Sequence, residues 1–262
     1  MGTFRNPLAA PSTLGAADGV TVGYLVFALL GYTRIGEAPV LYYGISYACG
    51  AATIGLVLLL SRYINGGKRF NVFDMLLIGT VLAQLLGAMT TFYTNYFIDG
   101  ATYVAFFDMM QAENAEFEPI TYLGVALVAL VTLVPVWSMR FRLNLISFPD
   151  EEARMLGSDA GRLRFAALMI GSVMVIGSLV AVGQVAVISL AVPYLSRMIF
   201  GAETRRQLVG NIFLGALVLL VCEDISAFIV VEANPMPVGT VASLAVMPFF
   251  VWLLAMQRRS WE

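Results

Sequence analysis

Few residues in this 262-residue chain are of a type that does chemistry, and none is histidine. Without histidine, a haem site or a His-ligated metal centre is disfavoured, and general-base work would fall to lone carboxylates. The most conspicuous acids are the adjacent Glu223 and Asp224, set toward the end of an otherwise apolar run. Ionisable groups in lipid are costly and usually face a bundle interior or a watery cavity. A proton or cation relay would use such a pair, but no intramembrane basic partner or histidine chain accompanies it. The simpler reading is structural hydrogen bonding or helix capping. Asp18 and Gln84, also inside apolar runs, read the same way. Cys49 and Cys222 read as buried small residues, neither a disulfide nor a zinc site. There is no Walker A loop, no Gly-rich dinucleotide fingerprint and no Ser/His/Asp set. No enzyme, cofactor or metal site is expected, and the net charge of −2 gives no footing for nucleic acid.

Two segments carry pattern without obvious chemistry. In Pro149–Gly157, PDEEARMLG, the proline suits a helix start and Asp150, Glu151 and Glu152 suit its first turn, where carboxylates meet the positive end of the helix dipole. Ala153, Arg154, Met155 and Leu156 continue it, and Gly157 is a stop signal. The segment reads either as a solvated linker or as a docking element for a cytoplasmic partner. In Gly183–Gly210, an apolar run meets Pro193, then a basic turn, then a new helix. Pro193 removes a backbone donor and predicts a kinked or broken, partly inserted helix.

The elements that position these residues are membrane helices. Hydrophobic residues make up 60% of the chain and charged residues 12%, about half the charge of a typical soluble domain. The apolar runs are long and continuous, unlike the short alternating strands of a barrel. Eight spans are predicted, at 13–30, 41–61, 72–97, 120–138, 165–182, 184–199, 208–231 and 238–256. The fold class is therefore all-α, a polytopic transmembrane helix bundle, with residues 1–262 forming one domain. Glycines such as Gly79, Gly87, Gly171, Gly177 and Gly215 inside the runs suit close helix packing. No signal peptide is evident.

Loop charge predicts orientation. With residue 1 in the cytoplasm, 14 of the 15 basic residues lie inside and only Arg34 lies outside. The outer loop 98–119 holds Asp99, Asp108, Glu113, Glu116 and Glu118 with no basic residue. Both termini are then cytoplasmic, and residues 139–164 form the largest inner loop.

Three stretches resemble one family, the iron-siderophore and cobalamin ABC importer permeases. Phe4–Gly23, FRNPLAAPSTLGAADGVTVG, is similar to their RNPLADP segment; Pro149–Gly157 is similar to their GEEAARSLG coupling loop; and Gly183–Leu254 is similar to their long closing signature. The wording NPLAAPSTLG and the acidic outer loop lean toward siderophore-type import. The resemblance implies a ten-helix subunit that pairs two-fold with a second permease subunit in the cell membrane. It implies a cytoplasmic ATPase dimer on the coupling loops, with Asp150–Gly157 as the coupling helix, and an extracytoplasmic substrate-binding protein. The resemblance also implies that two helices precede the segment that starts here at Arg5, so this chain is expected to lack them. Two positions depart from the pattern: Tyr194 stands where the family often has histidine, and Phe228 where it has an arginine associated with docking the binding protein. The rival readings are an ion-coupled secondary transporter using Glu223 and Asp224, and a non-transporting membrane scaffold.

Overall fold

The computed structural model describes residues 14–66, 72–111, 119–145, 160–183, 186–201, 203–231 and 234–259. They form helices α1 (Ala16–Leu29), α2 (Pro39–Ile64), α3 (Val72–Tyr96), α4 (Gly100–Gln111), α5 (Pro119–Leu145), α6 (Ala160–Val182), α7 (Ala186–Phe200), α8 (Thr204–Phe228) and α9 (Val238–Arg259). A 3-10 turn at Ile35–Glu37 precedes α2. The one extended feature among the described residues is a two-residue antiparallel pair, Val230–Val231 with Asn234–Pro235. The all-α bundle expected from the apolar runs is the fold observed.

Among the described residues, α2, α3, α5, α6 and α8 are long and apolar enough to cross a membrane. Helix α1 has 14 residues and α7 has 15. At 1.5 Å per residue either covers roughly 22 Å, less than the ~30 Å hydrocarbon layer. Pro193 does not break α7, which runs through it without interruption. Helix α4 is an element the apolar runs did not predict. Asp99 stands directly before its first residue, where its carboxylate accepts from the backbone N–H groups of Ala101 and Thr102, as an N-cap does, and from Thr102 Oγ1 at 2.5 Å. Its Ala105, Phe106 and Met109 are buried.

The chain divides into two compact units, residues 1–183 and 184–262. In the first, α1 packs against α2, α3, α4 and α6. Gly15, Gly19 and Gly23 recur every four residues, so this strip of α1 carries no side chain until Phe27. A Cβ at Gly23 would stand 2.7 Å from Ser46 Cα, and one at Gly19 would stand 2.9 Å from the Cys49 carbonyl oxygen. The backbones of α1 and α2 are thus in direct contact, the arrangement small residues make possible where lipid supplies no hydrophobic drive. On the far side of this seam Tyr24 stacks on Tyr42 with ring centroids 5.5 Å apart. Phe27 closes against Tyr42 edge-on, and Tyr24 Oη donates to the Leu179 carbonyl of α6 at 2.9 Å.

In the second unit, α7, α8 and α9 bury Ile188, Val192, Cys222, Val241 and Ala242 together. The α7–α8 turn closes tightly. Gly201 takes a φ of 81°, and Gln207 Nε2 donates to its carbonyl at 2.9 Å.

Candidate functional site

The predicted coupling segment, Asp150 to Gly157, lies outside the described residues, but its two supports are described. Helices α5 and α6, which flank it in sequence, pack against each other. The inner loop predicted at 139–164 is shorter than its composition suggested, because α5 continues to Leu145 and α6 already begins at Ala160. Arg140 explains the extension. Its guanidinium lies 4.7 Å from the Trp137 ring and 4.5 Å from the Phe141 ring, and it donates to the Trp137 carbonyl at 2.8 Å. The charge is thereby held along the helix in a way suited to a membrane–water boundary. Arg142 and Arg162 are exposed beside it, giving this end of the pair a basic collar.

Pro193 is half-buried in α7, and α7 packs against α8 and α9. An apolar cleft of about 220 Å³ lies among these three helices, lined by residues such as Ala191, Leu195, Leu217, Cys222 and Val246. With no charged or amide group in its wall, it has no means of orienting a polar ligand.

Glu223 and Asp224 are both exposed. Their neighbours on the other side of α8 turn inward: Cys222 is buried, and the buried Ser226 donates its hydroxyl to the Met236 carbonyl. Neither carboxylate makes a hydrogen bond or ion pair among the described residues. Nor do they cap the helix. The end of α8 is closed by the backbone N–H of Ile229 on Ile225 and Ser226, and carboxylates near a helix C-terminus oppose its dipole. The structural-bonding role read from sequence therefore has no support here. Phe228, at the position of the missing arginine, is 89% exposed.

Asp18 and Gln84 lie on neighbouring helices. Asp18 is half-buried on α1 and Gln84 exposed on α3, and the Asp18 carboxylate reaches α3 at Gly87. Sequence reasoning set both aside. Among the described residues no group of His, Cys, Asp or Glu could hold a metal ion.

Comparison with known proteins gives these observations a frame. A model of the FecCD transport family matches residues 2–256. The hemin transport system permease protein HmuU of Yersinia pestis is 30% identical over 98% of this chain and 75% of its own length. The Fe(3+)-citrate import system permease protein YfmE of Bacillus subtilis is 27% identical over 98% and 74%. The vitamin B12 import system permease protein BtuC of Yersinia pseudotuberculosis is 29% identical over 96% and 72%. A solved inward-facing structure described as a metal-chelate type ABC transporter superposes with a TM-score of 0.85 over 97% of this chain and 78% of its own, at 22% identity. At that identity the likeness speaks to the fold alone.

Proposed function

This chain belongs to the FecCD transport family, and from that premise we propose that it is the permease subunit through which an ABC importer moves iron-siderophore-like chelates into the cell. It is a multi-pass membrane protein and a transport permease, not itself an enzyme. The observation that carries the proposal is the family match across nearly the whole chain, joined to a bundle with no nucleotide motif of its own.

In this reading a second permease subunit pairs with this one, a cytoplasmic ATPase dimer grips residues 150–157, and an extracytoplasmic binding protein delivers the chelate. Both termini are cytoplasmic in this reading, which the predicted distribution of arginine and lysine supports. ATP binding and hydrolysis in the partner bias inward- and outward-facing states by pulling on the segment between α5 and α6. The packing supplies a route inward from there. Val128 of α5 seats against Gly177 of α6, Ile176 of α6 against Gly50 of α2, and the Leu179 carbonyl on Tyr24 of α1. A displacement of α6 therefore moves α1 and α2 with it. At the outer face, the exposed Phe228 offers an apolar contact where the family offers a cation, so a delivering protein would have to meet α8 without an ion pair there.

The test is uptake of a radiolabelled ferric chelate by cells carrying this chain with its ATPase and binding protein. Inactivating the ATPase's nucleotide-binding lysine should abolish uptake, and an uncoupler applied with ATP held constant should leave it. Uptake that survives loss of the ATPase but falls with the uncoupler would instead support an ion-coupled carrier built on Glu223 and Asp224.

A further inference from the structure

Helix α3 has three sides, only two of which a membrane bundle requires. One packs inward through Met75, Gly79, Thr90 and Thr94. A second is exposed and apolar, with Val81, Leu85, Met89, Phe92 and Tyr96 in steps of three and four residues, as expected of a surface against lipid. The third is exposed and, beyond the apolar Phe73 and Leu77 at its start, polar: Thr80, Gln84, Thr91 and Asn95, interrupted by the half-buried Gly87. With 3.6 residues per turn, the two exposed stripes lie roughly 120° apart around the helix axis.

The polar stripe cannot share the apolar stripe's solvent. Thr80 and Thr91 satisfy their hydroxyls internally, donating to the Leu77 and Gly87 carbonyls at 2.8 and 2.9 Å, so lipid would tolerate them. Gln84 and Asn95 have no such option, because a side-chain amide carries two donors and an acceptor that its own helix leaves unmet. Asp18 adds a carboxylate to the edge of the same stripe. One of its oxygens lies 3.8 Å from the place a Cβ at Gly87 would occupy, an ordinary contact distance. Neither α1 nor α3 contains a lysine or arginine.

We propose that this stripe, with Asp18 at its edge, is a water-facing wall of the transport pathway that favours neutral and cationic chelates over anionic ones. The inference rests on the permease reading and narrows its cargo. A wall of amides and hydroxyls binds a passing chelate weakly and at several points. Its single ionisable group sets the sign of the field in a cleft with low-dielectric sides. A ferric trihydroxamate, neutral or singly positive, meets no repulsion there, whereas a polyanionic ferric catecholate does.

Charged thiol reagents read this wall directly, without the binding protein or ATP turnover. In the assembled transporter carrying Cys49→Ser and Cys222→Ser, single cysteines are placed by Gln84→Cys, Thr91→Cys and Asn95→Cys, and on the apolar stripe by Val81→Cys, Leu85→Cys and Met89→Cys. Membrane-impermeant methanethiosulfonates should modify the first set and spare the second. At Gln84→Cys the cationic reagent should react about threefold or more faster than the anionic one, relative to a free thiol. Asp18→Asn should return that ratio to the free-thiol value, and Asp18→Glu, which guards against misfolding, should keep it. Equal modification of both stripes, or of neither, would overturn the water-facing wall. Modification with a ratio indifferent to Asp18→Asn would overturn the charge preference. Either failure differs from uptake that persists without the ATPase, which would sink the permease reading itself.

Discussion

Gly23 of α1 and Ser46 of α2 touch backbone to backbone: a Cβ on the glycine would lie 2.7 Å from Ser46 Cα. No rotamer change relieves a clash with a main-chain atom, so the two helices would have to separate. Gly23→Leu should therefore destabilise the bundle more than an ordinary overpacking substitution, which costs about 1–3 kcal/mol. Gly44→Ala, where an added Cβ meets nothing within 4 Å, should be near neutral. Thermal unfolding in detergent, followed by monodisperse elution, measures both. Equal midpoints for the two variants would mean that the α1–α2 seam is looser than described.

Tyr24 and Tyr42 sit face to face but differ in what their hydroxyls do. Tyr24 donates to the Leu179 carbonyl, whereas the buried Tyr42 hydroxyl has the Tyr24 hydroxyl beside it and no well-aligned acceptor among the described residues. Replacing a well-formed hydrogen bond costs about 1 kcal/mol, and replacing a poorly aligned one costs less. Tyr24→Phe should lower the melting midpoint more than Tyr42→Phe does. The opposite order in the same assay would reassign the hydrogen bond.

Much of this architecture was legible in the residues, for identifiable reasons. Long apolar runs can only be helices in lipid, so eight predicted segments each correspond to an observed helix. Helix α4 was missed because an outer loop with Asp99, Asp108 and three glutamates reads as solvated. The signal was present in the Asp99 cap and in the buried spacing of Ala105, Phe106 and Met109. The polar stripe was missed for a different reason. Gln84 taken alone is one polar residue in an apolar run. Its spacing from Thr80, Thr91 and Asn95 already put them on one side of a helix, but only the packed structure shows that this side is left uncovered and that Asp18 stands against it at Gly87. The ends of α5 and α6 were placed too early and too late because arginine marks a boundary in composition but not in backbone. Arg140 stays helical by lying on Trp137 and Phe141.

The α4 cap should respond to pH. The hydrogen bond from Thr102 holds the Asp99 carboxyl below its ordinary value. A carboxylate depressed in the folded state contributes stability that is complete above its unfolded pKa and is lost as pH falls through the folded one. Hydrogen-exchange protection across 100–111, taken relative to the intrinsic rate at each pH, should therefore fall on acidification into that range and be complete at neutral pH. In Asp99→Asn the acid-dependent loss of protection should vanish. Protection that stays constant down to strongly acidic pH would count against the cap.

Orientation can be tested at two loops. The predicted topology puts 14 of the 15 basic residues inside, so Glu113→Cys should react with an impermeant maleimide in intact cells, and Gly66→Cys only after permeabilisation. The experiment needs the background in which Cys49 and Cys222 are serine. Reversed labelling would place the arginines outside and remove the coupling segment from the reach of any cytoplasmic ATPase.

The segment 150–157 is where transport and ATP hydrolysis should come apart. If the ATPase grips a short helix there, its grip depends on a small residue at the contact and on the glycine that ends the helix. Ala153→Trp adds bulk where two surfaces meet, and Gly157→Pro removes a backbone donor and fixes φ near −65° at the stop position. Neither residue is one of those that form the buried seams of α1, α2 and α6 among the described residues, so both variants should insert and melt like the native chain. Uptake should fall sharply while the ATPase, reconstituted with either variant, loses its response to the loaded binding protein. Uptake and ATPase stimulation at native levels in both variants would exclude this segment as the coupling element. Loss of uptake with stimulation intact would place the defect after ATPase docking, in the transmission from α6 through Leu179 and Tyr24 to α1.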